Sequence, residues 1–149
     1  MVNKDVYFVA VKIFLQNKKG ELLITKDRFG DWDIPGGRLR ENDFDIPLEK
    51  VVERKMKEEL GENISYQLGD VALFMRHERN EILPSGGREI RRIFAVGYHA
   101  TYRRGEIKLG GNHTEYVWVN LKEFIPENYF TGGWLKGIKE FQAIATTEH

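Results

Sequence analysis

The sequence predicts an α+β domain in which helices flank a mixed β-sheet on both faces, an α/β/α sandwich. Two observations predict it. Segments rich in β-branched and aromatic residues alternate with two segments of helical apolar period, in the order strands, helix, strands, helix. The 149 residues also contain no internal repeat, low-complexity run or linker. This length and uniformity predict a single domain over residues 1–149.

The first elements form a predicted β-hairpin. Residues 6–15 are β-branched, aromatic and apolar, residues 17–20 have turn chemistry, and residues 21–25 resume a strand pattern. A polar loop follows at residues 27–31. The segment 32–37, Trp-Asp-Ile-Pro-Gly-Gly, then ends in glycines that permit backbone geometries closed to other residues.

The first helix is predicted over residues 47–60. Its apolar residues recur at every fourth position and so lie on one face: Leu48, Val52, Met56 and Leu60. Gly61 is a natural C-terminal stop. At the other end, Asp45 is a candidate cap and Pro47 suits the first turn.

The second half of the chain supplies further strands and the last helix. Residues 66–75 and 89–102 are predicted strands, and the polar connection between them includes Pro-Ser-Gly-Gly at 84–87. A short strand is predicted at 116–119 and a helical turn at 121–124. A final helix is predicted from four apolar residues at helical spacing, namely Trp134, Ile138, Phe141 and Ile144.

Composition excludes several classes of function. Lys and Arg number 23, as do Asp and Glu, so the net charge of zero argues against nucleic acid or an anionic membrane as the main partner. Without cysteine there is no disulfide, thiolate metal site or cysteine nucleophile, and any metal should be a hard, oxygen-bound ion. The short apolar run after residue 5 is interrupted by Lys12, which predicts neither a signal peptide nor a membrane span, and a cytoplasmic location.

One stretch combines residues that can carry chemistry. The glycines Gly36 and Gly37 can approach a ligand closely, and they lead into a helix that carries Arg54, Glu58 and Glu59. At about 100° per residue, both carboxylates can project beside the glycine loop. Two such anions suit Mg²⁺ or Mn²⁺, which also contact substrate phosphates. Alternatively, a helix rich in Glu and Lys is a solvated face with intrahelical ion pairs.

This stretch resembles the Nudix box. The matching runs are Gly36-Gly37-Arg38-Leu39 and Arg54-Lys55-Met56-Lys57-Glu58-Glu59-Leu60-Gly61, and both Trp-Asp-Ile-Pro at 32–35 and Glu-Tyr-Val-Trp-Val at 115–119 are typical of the family. The resemblance implies the Nudix α/β/α sandwich and metal-dependent hydrolysis of a nucleoside diphosphate linked to another group. It further implies that the Gly36 carbonyl, Glu58, Glu59 and Glu115 hold the metal, while Arg54 orients the carboxylates.

The box departs from the family pattern at three places. Three extra residues separate Gly37 from Arg54, so that the family's first glutamate falls on Asp43 when counted from the glycine but on Ile46 when counted back from the arginine. Glu62 stands at an apolar position, a minor shift. Lys55 replaces the glutamate that follows the arginine and that serves many members as general base or metal ligand. An ammonium group there either weakens metal binding or contacts a substrate phosphate.

The general base can then lie outside the helix, as the resemblance implies for some members. The candidates are Glu78 and Glu81, with His77 as a third because its ordinary pKa suits base catalysis at neutral pH. All three lie in a segment, residues 76–81, that is interpreted as part of the connection between two strands. The alternative is an ordinary charged loop, and Glu115 could equally be an exposed carboxylate at a strand end.

Cations and aromatic rings are the candidate substrate contacts. Four cations flank the glycine loop, although solvent exposure explains them equally well: Lys26, Arg28, Arg38 and Arg40. Stacking faces are offered by Tyr7, Phe29, Trp32, Tyr129, Phe130 and Trp134, of which Trp32, like Trp118, also suits the core.

Three functions remain open at this point. The first is a Mg²⁺- or Mn²⁺-dependent pyrophosphohydrolase that acts on a nucleoside triphosphate, sugar nucleotide or dinucleotide. The second is a non-catalytic nucleotide-binding module of the same fold, motivated by Lys55. The third is an interaction or structural unit. The expected partner is a small-molecule nucleotide, and a homodimer is left open.

Overall fold

The structure is a computed structural model that describes residues 1–147. It contains seven strands and two α-helices, with short 3-10 helices at Glu41–Asp43 and Pro126–Asn128. The strands are β1 (Phe8–Gln16), β2 (Leu22–Asp27), β3 (Trp32–Asp33), β4 (Gly36–Arg38), β5 (Ser65–Ile82), β6 (Arg88–Arg104) and β7 (His113–Val119); the helices are α1 (Leu48–Leu60) and α2 (Gly132–Thr146).

The strands form one mixed sheet in the order β3-β2-β1-β6-β5, to which β4 is added on β1 and β7 on β2. β1 runs parallel to β6 along its whole length, from Phe8 opposite Ile93 to Gln16 opposite Thr101. The other pairings are antiparallel. The predicted mixed sheet is therefore confirmed.

The sheet opens between β1 and β2, and this opening positions the site. The two strands pair at Gln16 and Leu22, next to their connecting turn. Farther along, β1 pairs instead with β4, and β2 with β3. The chain crosses the gap at Pro35, whose carbonyl accepts a hydrogen bond of 2.9 Å from the Ile13 N–H.

Each face of the sheet is covered by one helix. Alternation along β1 sends Ala10 and Phe14 into the core below α2, with Ile138 and Phe141 among their neighbours. The odd positions of β1 enter a second core below α1, whose largest buried members include Val11, Ile13, Met56 and Leu60. The predicted α/β/α sandwich is confirmed.

Helix α1 follows its predicted period, since Val52, Met56 and Leu60 are fully buried. Gly61 ends the helix with φ 91°, and its N–H donates to the Lys57 carbonyl. The prediction of Asp45 as the cap is wrong. Pro47 occupies the N-cap position, without a side-chain hydrogen bond, because the loop carries the 3-10 turn Glu41–Asp43 before the helix starts.

The long β5–β6 hairpin corrects a second prediction. Residues 76–81 are not a connection but the end of β5, paired with β6 as far as Ile82 opposite Arg88. The turn itself lies at residues 83–87, where the Leu83 N–H donates to the Gly87 carbonyl. The predicted helical turn at residues 121–124 is present as a single turn, in which the Phe124 N–H donates to the Asn120 carbonyl over 2.9 Å. Within residues 1–147, neither helix has the length and apolar character needed to cross a membrane.

Candidate functional site

The glycine loop lies directly on β1. Gly36 has φ 132°, and a Cβ atom at this residue would lie 2.1 Å from the Val11 carbonyl oxygen. A residue with a side chain would therefore force β4 away from β1. This close packing points the Gly36 N–H toward α1, where it donates to Glu59 Oε1 over 3.3 Å.

Glu59 is a buried carboxylate at the opening of the sheet, with 13% of its side chain exposed. Burial, together with a smaller effect of nearby Asp33, raises the pKa of Glu59 to about 7, although Lys12, the Gly36 N–H and Lys55 act in the opposite direction. His113 Nε2 lies 3.8 Å from its Oε1. The burial of this negative charge creates a place where a cation would be stabilised.

Arg54 connects the loop before α1 with Glu58. Asp43, with 1% of its side chain exposed, accepts hydrogen bonds from Arg54 Nη1 at 2.5 Å and Nη2 at 2.9 Å. These bonds, together with one from the Arg40 N–H, hold the pKa of Asp43 well below its usual range. Arg54 Nε lies 3.4 Å from Glu58 Oε1. Asp43 thus anchors the guanidinium that faces Glu58, despite the longer loop.

Lys55 lies against the glycine loop. It is 9% exposed, and its Nζ lies 3.2 Å from the position that a Cβ of Gly37 would occupy. Burial lowers the pKa of Lys55, an effect opposed by Glu58 and Glu59. Among residues 1–147, Lys55 has no salt-bridge partner. Its amine therefore lies beside Gly37, where the charges of Glu58 and Glu59 act on it.

The four predicted metal ligands are not gathered into one cluster. Glu115 is exposed on β7 with Lys26 Nζ 3.9 Å away, and no group of three Asp, Glu, His or Cys side chains in residues 1–147 is arranged to hold a metal. The buried carboxylate of Glu59 and the neighbouring Glu58 nevertheless fit one hard cation. Mg²⁺ is commonly held by one or two carboxylates and completed by substrate phosphates and water.

Lys12 and Asp33 form an ion pair that the sequence did not single out. Lys12 Nζ lies 2.9 Å from each carboxylate oxygen of Asp33 and 3.4 Å from the Ile34 carbonyl oxygen. Lys12 is 5% exposed, and its ammonium group lies 5.2 Å from the centre of the Trp134 ring. The pair lies near Glu59, whose pKa responds to both charges. One signal existed, since Lys12 interrupts an otherwise apolar strand.

A cavity of about 240 Å³ lies on the α2 side of the same opening. The β2–β3 hairpin contributes Asp31, Trp32 and Asp33 to its walls, while His77 and Arg79 come from β5. Several residues before and within α2 complete it: Tyr129, Phe130, Thr131 and Trp134. The candidate aromatic residues Trp32, Tyr129, Phe130 and Trp134 are thereby brought together, but Phe29 is not among the residues that line this cavity.

His77 is bound to the start of α2. Its Nδ1 accepts hydrogen bonds from the Gly133 N–H at 3.0 Å and the Trp134 N–H at 3.3 Å. The ring stacks on Trp134 with centroids 4.5 Å apart. Burial, followed by the charge of Arg79, lowers the pKa of His77 to about 4. His77 is therefore neutral at physiological pH.

The remaining base candidates form ion pairs on the hairpin. Glu81 pairs with Arg38 and lies 3.5 Å from Arg91 Nε, while Glu78 accepts a hydrogen bond of 3.1 Å from Arg92. Nothing in these contacts brings either carboxylate to Glu59. Their catalytic role stays a prediction.

The candidate substrate cations are dispersed. Lys26 lies over Trp32 at 5.5 Å, at the edge of the cavity. Arg28 instead packs on Phe29 at the exposed tip of the β2–β3 loop. Arg40 Nη2 contacts Glu58 at 3.1 Å. Lys26 is therefore adjacent to the cavity wall, whereas Arg40 belongs to the carboxylate cluster on α1.

Solved structures share this fold. A MutT protein from Methanosarcina mazei Go1 superposes with a TM-score of 0.70 at 23% identity, covering 99% of this chain and all of its own. An Escherichia coli dihydroneopterin triphosphate pyrophosphohydrolase has a TM-score of 0.66 at 16% identity, covering 94% of this chain and 99% of its own. A Streptococcus suis ADP-ribose pyrophosphatase has a TM-score of 0.62 at 14% identity, covering 97% of this chain and 96% of its own.

Family membership follows from the sequence as well. No curated protein matches this chain. A family model for the NUDIX domain, however, matches residues 6–136, which include the glycine loop, α1 and the start of α2. The chain therefore belongs to the NUDIX domain family.

Proposed function

We propose that this chain hydrolyses the pyrophosphate linkage of a small nucleotide, with one divalent cation, Mg²⁺ or Mn²⁺, held by Glu58 and Glu59. The burial of Glu59 beside Gly36 carries the proposal, because a carboxylate that has lost most of its water is stabilised by a cation. The family supports the reaction class. The pyrophosphohydrolases among the structural neighbours support it as well.

The cation would neutralise the charge that develops on the phosphates and activate the attacking water. The chain's own residues prepare the place for it. Asp43 fixes Arg54, and Arg54 together with Arg40 restrains the Glu58 carboxylate. The Gly36 N–H orients Glu59. Glu115 as an additional ligand and Glu78 or Glu81 as the base remain parts of the proposal that need their own variants.

The test is a hydrolysis screen with matched glutamine variants. Nucleoside triphosphates, sugar nucleotides and dinucleoside polyphosphates are incubated with Mg²⁺ or Mn²⁺, and released nucleotide is measured. We expect Glu59→Gln to lower kcat at least about 100-fold, as removal of a principal charge-stabilising group does. Glu53→Gln is the control, because Glu53 lies on the same helix and pairs with Lys50 and Lys57. Equal rates for both variants would remove α1 from the mechanism.

A second candidate, a nucleotide-binding module without turnover, is favoured by the position of Lys55. Its buried amine lies beside the glycine loop, where a positive charge opposes a second metal ion. Binding of nucleotide to the wild type without any product would support this module. Lys55→Glu distinguishes the two candidates further. A gain in rate would show that the native site lacks a base, and an unchanged rate would place the base elsewhere.

The partners follow from the proposed reaction. The small-molecule substrate is a nucleotide, for which the cavity beside Trp32 offers room; its wall includes Asp33, whose charge acts on Glu59. A homodimer and a cytoplasmic location stay predictions. Size-exclusion chromatography with light scattering tests the first, and fluorescence microscopy of a tagged chain tests the second.

A further inference from the structure

His77 occupies an unusual place between α2 and the cavity. Its Nδ1 accepts hydrogen bonds from two backbone N–H groups at the start of α2. A nitrogen that accepts from an N–H cannot itself carry a proton. In the neutral ring the single proton must then reside on Nε2. The start of α2 therefore selects one tautomer of His77.

The charges around the ring favour the same neutral form. The positive end of the α2 dipole opposes a second proton, as do Arg79 on β5 and Lys12 on β1. Asp33 on β3 and Glu78 on β5 act in the opposite direction. Desolvation of the ring is the largest influence, and together with these cations it lowers the pKa of His77 to about 4. Neither nitrogen is thus available as a general base near neutral pH.

The Nε2–H group is available for a ligand. Within residues 1–147, Nε2 has no hydrogen-bond partner, and it is not among the enclosed polar atoms that lack one. The ring lines the 240 Å³ cavity together with Arg79, which follows two residues later on the same face of β5. In the described part of the chain Arg79 forms no salt bridge. Both free groups on this wall are donors.

We propose that His77 is a positioning residue that donates its Nε2–H, beside Arg79, to an oxygen of the substrate that carries no hydrogen. This inference rests on the proposed function, because it places part of the same substrate in the cavity next to the Lys12–Asp33 pair. The oxygen can belong to a phosphoryl group or to a carbonyl of the nucleoside. The ring cannot accept a hydrogen bond from a substrate hydroxyl, since Nδ1 is already bound to α2 and Nε2 carries the proton.

Nuclear magnetic resonance of the free protein tests the tautomer first. At pH 7 the ¹⁵N shifts of the His77 ring should show Nε2–H and an unprotonated Nδ1. An Nδ1–H ring or an imidazolium would overturn the proposal, whether or not the chain is an enzyme. Addition of methylenediphosphonate with Mg²⁺ or of uridine then identifies the acceptor, because the first offers phosphoryl and the second carbonyl oxygens. If neither probe shifts the Nε2–H signal, the donor role is overturned.

Two substitutions separate the two nitrogens. His77→Asn keeps an oxygen acceptor at the position of Nδ1 but removes the distal donor. His77→Gln reaches the position of Nε2 with an amide N–H but loses the acceptor for α2. We expect His77→Asn to raise KM about tenfold with little change in kcat, because the substrate loses one hydrogen bond. His77→Gln should keep KM within about twofold and lower Tm by about 3 °C, as loss of a cap does.

His99→Asn is the matched control. His99 is a half-buried histidine on β6 that bonds to Gln16 and lies beside Phe141, so its loss affects stability alone. If no substrate is hydrolysed, the Kd for α,β-methylene adenosine diphosphate with Mg²⁺ replaces KM. Equal affinities for wild type and His77→Asn would overturn the inference, as would a wild type that does not bind. Hydrolysis by all variants at wild-type KM would leave the proposed function intact and reject only the role of His77.

Discussion

Replacement of Lys12 by methionine tests whether the buried ion pair holds the opening of the sheet. Methionine keeps the length of the lysine stem and its packing below Trp134 but removes the ammonium group. Asp33 then loses two hydrogen bonds of 2.9 Å, and the Ile34 carbonyl loses a weaker one of 3.4 Å. We expect Lys12→Met to destabilise the protein.

The magnitude follows from the exposure of the two partners. Removing one member of a fully buried pair costs about 3 to 5 kcal/mol, because the other charge is left without compensation. Here the Lys12 side chain is 6% exposed but that of Asp33 is 35% exposed, so the carboxylate regains part of its water. The discounted cost is about 2 kcal/mol. In a domain of this length that lowers Tm by about 4 to 8 °C.

Thermal and urea unfolding of four proteins measures the effect: wild type, Lys12→Met, Asp33→Asn and the double variant. The double variant should recover part of the loss, since an uncharged pair needs no compensation. Lys18→Met, at an exposed position in the β1–β2 turn, is the control. A Lys12→Met protein as stable as wild type, or a double variant no better than Lys12→Met, would refute the reasoning.

Three further outcomes are expected. Gly133→Ala should lower the free energy of unfolding by more than about 2 kcal/mol, since its Cβ would lie 1.7 Å from a carbonyl oxygen of β5. Gly137→Ala meets only a flexible methionine side chain, so the same urea titration should show a smaller loss of stability. His77 should lower the free energy of unfolding as pH decreases from about 6.5 to about 4, because it binds a proton in the unfolded chain before it does in the folded one, whereas Glu59, which binds a proton in the folded chain first, acts in the opposite direction between about 7 and about 4.5; the stability of His77→Asn relative to wild type should therefore increase as pH decreases. Asp43→Asn should lower both kcat/KM and Tm, because Arg54 loses its charged partner. The variant should also lose less stability than wild type below pH 4, since the pKa of Asp43 is depressed in the folded state. Asp45→Asn should change neither kcat/KM nor Tm.

The fold was largely predictable because its helices obey local rules. The four-residue period in α1 ends at Gly61, and the structure confirms both features. The end of β5 was not predictable in this way. Residues 76–81 are all charged or polar and have no apolar face, and their pairing with β6 depends on contacts that a local pattern does not contain. A long hairpin that extends beyond the core looks like a charged loop in the sequence.

For the site, as for the fold, the sequence predicts what depends on local spacing and not what depends on contacts between distant residues. Arg54, Glu58 and Glu59 could be proposed as site residues from their spacing within a single helix, and Asp43 from the resemblance to the Nudix box. Which groups face them depends on the opening between β1 and β2, where residues distant in sequence meet. Lys12 is 21 residues from Asp33, and His77 is 56 residues from Gly133. The interruption of an apolar strand singles out Lys12, but nothing in the sequence indicates which residue either Lys12 or His77 contacts.

The ring of Trp134 connects these two long-range contacts. One neighbour is His77, stacked at 4.5 Å, and the other is the Lys12 ammonium group at 5.2 Å from the ring centre. Lys12 in turn holds Asp33, and the charges of both act on Glu59, so the start of α2 is linked through Lys12 to the buried carboxylate of α1. A substrate in the cavity would therefore meet surfaces that are positioned by the same buried lysine. If that is correct, Lys12→Met should weaken nucleotide binding as well as folding, whereas Gly137→Ala, which disturbs only the packing of α2 on Met75, should leave binding unchanged once folded protein is compared.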